Sequence, residues 1–112
     1  MSTELYGKWI KVEKALPDEG ELVLMECLQP LDGSILKKIC YEIGLRVGPD
    51  GMHASHLTEH EDNVDVGTYE HDDDDDSIIL VEGFYRVYDH WDGTHIQDPA
   101  GEVVRWMSFP RR

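Results

Sequence analysis

From Ile39 to Val47 every odd position is apolar: Ile39, Tyr41, Ile43, Leu45 and Val47. Successive side chains of a strand point to opposite faces, so this period of two specifies a half-buried β-strand. The same alternation assigns Cys40 to the polar face, beside Lys38 and Glu42. A lone strand has no stability in water, and the flanking sequence supplies partners for it. Trp9 to Val12 is short and β-compatible, and Leu22 to Leu28 is apolar except for Glu26. Ile78 to Val81 and Phe84 to Tyr88 read as a strand pair or one long strand bent at Gly83, and Val103 to Met107 closes the set. Between these runs lie turn signals at Leu16-Pro17-Asp18-Glu19-Gly20, Asp32-Gly33, Asp92-Gly93 and Pro99-Ala100-Gly101. Asp-Gly is the strongest short hairpin signal. Short strands at this spacing predict a mainly β fold (or α+β), a small antiparallel sheet or half-open barrel. Trp9, Val23, Ile43, Tyr85 and Trp106 are the expected core.

With 112 residues the chain fits one domain, 1–112. No apolar stretch reaches the roughly 20 residues of a membrane helix. The opening MSTELYGKWIKVEK has no signal-peptide run, so a cytosolic protein is expected. Two cysteines, Cys27 and Cys40, are too few for a disulfide scaffold and are expected to stay reduced.

Charge is unevenly placed. The formal net charge is −14, from 10 basic and 24 acidic residues. Residues 48–77 hold 11 of the acidic residues and no Lys or Arg, leaving −3 for everything else. Such a chain repels nucleic acid phosphates and anionic membranes, so its expected partners are basic protein surfaces or metal cations. The segment reads as an acidic, His-rich insertion within the domain. Its carboxylates Glu59, Glu61, Asp62, Asp65, Glu70, Asp72, Asp73, Asp74, Asp75 and Asp76 are the candidate partner-binding residues. An aspartate run is commonly just solvated chain. Here a strand-like run begins at Ile78, so carboxylates spaced about 3.3 Å apart per extended residue can imitate one strand of a nucleic acid backbone.

Four of the six histidines fall in the same segment: His53, His56, His60 and His71. Were residues 52–62 a short helix, His53, His56 and His60 would share one face. His56 and His60 alone have the i, i+4 spacing of a zinc site on a helix. His71 with Asp72, or Cys40, is available as a fourth ligand. Imidazole, thiolate and carboxylate are zinc donors, so zinc is the expected cofactor, against the plainer reading of a solvated His-containing loop. No nucleophile elbow, P-loop or phosphate cradle is present, and the His71-Asp72 dipeptide sits in a β-rich chain. The sequence therefore points away from an enzyme.

The two ends of the chain carry a resemblance. Trp9-Ile10 through Leu16-Pro17 to Gly20, Val23 and Leu24 is similar to a W-I-x-V-x-x-x-L-P-x-x-G-x-x-V-L opening. Gly83-Phe84-Tyr85, Trp91 and Val103 to Pro110 resemble a G-F-Y…W…V-T-H-W-M-P-L-P close. Together they resemble the small phage and prophage protein family called domain of unknown function 551, over roughly residues 9–28 and 78–110. Arg105 and Ser108 replace the His and Pro usual there, and the acidic segment is extra. The resemblance implies a phage context and a β-rich fold, with Trp9, Leu16, Pro17, Trp106 and Pro110 as core and turn residues, and no catalytic group. It raises one functional expectation above the others. This is a phage-encoded inhibitor of a host nucleic-acid-targeting defence, anti-CRISPR-like, occupying a basic nuclease surface in the bacterial cytosol. The alternative is a metal-binding or protein-binding accessory domain of a prophage.

Overall fold

A computed structural model describes residues 8–31, 35–74 and 77–108. The expected Asp32-Gly33 turn and Pro110 lie outside them, as do Asp75 and Asp76. Among the described residues ten strands form in chain order: β1 (Ile10–Lys11), β2 (Val23–Pro30), β3 (Lys37–Val47), β4 (Met52–His53), β5 (Val64–Asp65), β6 (Tyr69–Asp72), β7 (Ser77–Leu80), β8 (Gly83–His90), β9 (Gly93–Gln97) and β10 (Glu102–Ser108). Seven build one open sheet in the order β1-β10-β2-β3-β8-β9-β5, and three build a smaller one in the order β4-β7-β6. All pairings are antiparallel except β5 with β9. The large sheet ends in two-residue edge strands and does not close into a barrel. No helix of the described residues is long and apolar enough to cross a membrane.

Register explains where the core sits. Val23 pairs with Gly44, Met25 with Glu42 and Cys27 with Cys40, so these residues share one face of the sheet. Trp106 opposite Met25 and Val103 opposite Cys27 join them, and Val23, Met25, Cys27, Val103 and Trp106 form one buried cluster. On the other face Leu45 pairs with Tyr85 and Val87 with Ile96, and these four, with Val47, Ala54 and Leu80, form a second cluster. The small sheet supplies Leu80, so its place is over this second face.

One strand thus serves two cores from opposite sides. In its first half β3 buries the even side, and in its second half the odd side. The alternation of Ile39 to Val47 is real, but Ile39, Tyr41 and Ile43 are 54%, 57% and 45% exposed. Ile43 is therefore not a core residue. Cys40, expected on the polar face, packs against the first cluster, and its Sγ donates to the Cys27 carbonyl at 3.7 Å. Of the other expected core residues, Val23, Tyr85 and Trp106 are buried. Trp9 is half-buried, with its ring 5.8 Å from that of Tyr41. Pro17 is buried and accepts a hydrogen bond from Arg46 Nε at 2.8 Å, whereas Leu16 is 50% exposed.

A register shift between Val103 and Arg105 changes the parity of β10. One extra residue lets Val103 and Trp106, three apart, fill the same cluster, while Arg105 turns to the opposite face and meets Glu26. Gly44 is fixed by close approach: a Cβ there would lie 2.2 Å from the Tyr85 carbonyl oxygen and 2.4 Å from Met25 Cε. Gly44→Ala is expected to destabilise the fold by about 2 kcal/mol, because backbone and a fully buried methionine must both move. A urea titration with an unchanged midpoint would contradict this packing.

The described residues of the 48–77 segment are built into the fold rather than appended to it. Ala54 is fully buried in the second cluster, and Leu57, Val64 and Val66 pack on it. Residues 52–62 are not a helix. Met52 and His53 are held extended by pairing with Leu80 and Ile79. A single 3-10 turn follows at Ala54–His56 and another at Glu61–Asn63. Between them the Thr58 hydroxyl accepts the His60 amide at 3.4 Å, so a side chain competes with helical bonding.

Candidate metal centre and acidic face

The β8–β9 hairpin turns through Trp91 and Asp92, with His90 paired to Gly93 and Tyr88 to His95. Gly93 has a φ of 120°, a backbone setting that favours glycine, so the turn depends on it. Strand alternation puts Tyr88, His90 and His95 on one face of this hairpin. The His95 ring stacks on Tyr88 at 5.0 Å with a 15° interplanar angle, and Gln97 Nε2 donates to the Tyr88 hydroxyl at 3.3 Å. His95 is thereby oriented before any ligand arrives.

Asp92 folds back from the turn onto both histidines. Its Oδ1 lies 2.7 Å from His95 Nε2 and 3.4 Å from His90 Nδ1. The hydrogen bond with His95 is the main reason its carboxyl is held below the usual carboxylate range; partial desolvation opposes this and His90 adds to it. One ligand atom from each of His90, Asp92 and His95 lies within 4.8 Å of the other two. Two imidazoles and a carboxylate converging in this way can hold a metal ion. Beside them a cleft of about 730 Å³ is bordered by His56, Leu57, His60, Trp91, Asp92 and Thr94. Trp91 is 88% exposed at its mouth.

The four histidines singled out from the sequence are dispersed. His53 Nδ1 is 3.1 Å from Ser77 Oγ, and its Nε2 is 3.7 Å from Asp72 Oδ2. The His53 and His56 rings are 6.0 Å apart, while His71 pairs with Asp73 at 3.6 Å. His60 lies at the hairpin tip instead, with its Cδ2 3.9 Å from the place a Gly93 Cβ would take. Among the described residues the one group able to hold an ion is His90, Asp92 and His95. Cys40 packs against the first cluster, away from the histidines, and burial pushes the neighbouring Cys27 thiol up to about 12.

The acidic residues fall into two groups. Glu61 Oε2 accepts the Ile78 amide at 2.9 Å, and Asp72 Oδ1 accepts the Asp74 amide at 3.0 Å, so these two carboxylates hold backbone. Glu59, Asp62, Asp65, Glu70, Asp73 and Asp74 are exposed. Glu70 lies on β6, one of the two edge strands of the small sheet, opposite Ile79.

No family model matches the chain, and neither does a curated protein or a solved structure. The likeness to the phage family therefore rests on its two end motifs.

Proposed function

We propose that this chain is a non-catalytic acidic module that docks on a basic protein surface and blocks access of nucleic acid to it. In its fullest form it is a phage-encoded inhibitor of a host defence nuclease, anti-CRISPR-like and acting in the bacterial cytosol. One observation carries the reading: exposed carboxylates of a segment without Lys or Arg sit on folded chain, Glu70 on the edge strand β6, Asp65 on the edge strand β5, and Glu59, Asp62, Asp73 and Asp74 on the turns between strands. Charge on an ordered frame is presented without the entropy cost of ordering a loose acidic tail. The phage-like end motifs favour a defence nuclease among basic partners.

The test neutralises Glu59, Asp62, Asp65, Glu70, Asp73 and Asp74 with Gln or Asn, sparing Glu61 and Asp72, which hold backbone. Inhibition of guide-directed cleavage by a CRISPR nuclease is measured at low and physiological salt. The variant is expected to keep its fold and lose at least tenfold in affinity, about 1.4 kcal/mol. Wild-type inhibition should weaken with salt, since exposed charges are screened over about 8–10 Å. Equal inhibition by both proteins, indifferent to salt, would reject charge docking and move attention to the hairpin edge from Tyr88 to Trp91.

A second reading is favoured by His90, Asp92 and His95. In it the chain is a metal-binding accessory domain of a prophage, and zinc is the ion that imidazole and carboxylate donors fit.

A further inference from the structure

We propose that two copies of this chain pair through β3, whose free edge joins its own counterpart antiparallel and extends the large sheet across a two-fold axis. β3 spans Lys37–Val47, but β8 pairs with it only at Gly44–Val47. From Lys37 to Ile43 no strand of the described residues lies on the side of β3 away from β2. The backbone there points outward. The Leu31 amide donates to the Leu36 carbonyl at 3.2 Å, which makes these two a hydrogen-bonded pair of the β2–β3 ladder. Such pairs recur at every second residue, so Lys38, Cys40 and Glu42 bond β2. Ile39 and Tyr41 turn amide and carbonyl to the free side. An exposed edge of this kind is a template for another strand. Its side chains are apolar as well, since Ile39, Tyr41 and Ile43 share one face and are exposed.

Three features select a second copy as the occupant. The first is register. An edge running from Lys37 to Ile43 has its midpoint at Cys40, so pairing its full length with itself puts Ile39 opposite the partner's Tyr41. Cross-strand pairs of an aromatic with a β-branched residue stabilise a sheet. Lys38 falls opposite the partner's Glu42, and no like charges meet directly. The second feature is shape. The β2–β3 hairpin projects past β10, whose pairing with β2 stops at Leu28, and carries Ile35 97% and Leu36 65% exposed. Where β8 parts from β3, a groove of about 460 Å³ is lined by Leu22, Ile43, Leu45, Leu57, Val87 and Asp89. The same register sets the partner's Lys37 opposite Ile43 and so carries its Leu36 and Ile35 to this apolar groove, with Asp89 beside its lysines. Each contact is made twice, as a two-fold interface requires. The third feature is charge. The acidic segment follows Val47, about 24 Å from the midpoint at 3.4 Å per residue. The two acidic segments thus begin about 48 Å apart, several screening lengths of about 8 Å, and do not oppose pairing.

Sedimentation velocity of the full chain across roughly 1–200 µM tests this. Wild type is expected to form a dimer of about 26 kDa, twice the 12.9 kDa chain. Hydrogen exchange at the Ile39 and Tyr41 amides should slow as the dimer fills. Ile39→Pro removes an amide that the single chain does not use, a change edge strands tolerate, and should weaken association at least about tenfold with near-ultraviolet circular dichroism unchanged. Leu36→Asp, which sets a charge against the groove, should weaken it by a similar factor. Leu16→Lys, at an exposed apolar position off the edge, should leave it unchanged. If Ile39→Pro does not fold, Leu36→Asp and the two exchange rates decide. A wild type that stays monomeric throughout overturns the inference and leaves the edge to a foreign strand. A dimer that neither Ile39→Pro nor Leu36→Asp weakens overturns it too, as does growth beyond the dimer, because a two-fold interface closes.

Discussion

Excision of residues 48–77, with the ends rejoined by a short Gly-Ser linker, is expected to unfold the whole domain. The cut takes Ala54 and the packed side chains of Leu57, Val64 and Val66 out of the second cluster. It also removes β4 and β6, the two partners of β7. Leu80, fully buried in the intact chain, would then face water. Burying an aliphatic side chain of this size contributes about 1.5–3 kcal/mol, so losing several approaches the 5–15 kcal/mol total of an ordinary domain. The measurement is a urea melt followed by near-ultraviolet circular dichroism. A cooperative transition with wild-type tertiary signal would show that the acidic segment is separable. The expected outcome also decides how function must be tested: a deletion that abolishes binding reports an unfolded protein, so charge must be removed by substitution on an intact frame.

Much of the fold was legible because strands announce themselves locally. The runs at Leu22–Leu28, Ile39–Val47 and Val103–Met107 coincide with β2, β3 and β10 to within two residues at each end. Period two states which residues share a face, but not which face is covered, and β3 is covered on different faces along its length. That is why Cys40 and Ile43 exchanged roles. Ile78–Val81 and Phe84–Tyr88 were visible as strands, yet they belong to different sheets, a distinction set by distant pairings with β4 and β3. The helical reading of 52–62 failed for the same reason, since pairing with β7 overrides local spacing.

The metal group was closer to hand. Asp92-Gly93 was read as a hairpin turn, and any hairpin around it brings His90 and His95 together. The register that pairs Tyr88 with His95 and His90 with Gly93 is not set by the turn dipeptide alone. The acidic residues were placed correctly in sequence, but their division into backbone-holding and solvent-facing groups depends on which amides they meet. The Ile78 amide bonded by Glu61 is 17 residues away.

Arg105→Met is expected to destabilise the protein at neutral pH and to reverse the sign of its stability change in acid. Glu26 is 5% exposed, and Arg105 grips both its oxygens, Nε to Oε1 at 2.8 Å and Nη2 to Oε2 at 2.6 Å. Those hydrogen bonds are the largest influence on Glu26 and hold its carboxyl below the ordinary value of 4.5, against the opposing pull of burial. A carboxyl lowered on folding stabilises the native state above its unfolded value, and that contribution disappears as pH falls through the folded value. Wild type should therefore lose this part of its stability below about pH 4.5. With methionine at 105 the burial of Glu26 remains while its counter-charge is gone and the weaker Tyr41 hydrogen bond alone is left, and the folded value is expected to rise above the unfolded one. The variant then carries at pH 7 a buried carboxylate that has lost its counter-charge and keeps only the Tyr41 hydroxyl as a partner, a cost of about 3 kcal/mol borne by Glu26. This cost is relieved as pH falls from the raised folded value to the unfolded one, where protonation removes the charge. Glu26→Gln in the Arg105→Met background should restore much of the loss at pH 7, since a neutral amide no longer needs the guanidinium. Urea midpoints of the four proteins between pH 4 and pH 8 complete the cycle. Parallel pH profiles for wild type and Arg105→Met would mean that water reaches Glu26 freely, and that the pair lies on the surface of the sheet rather than within its packing.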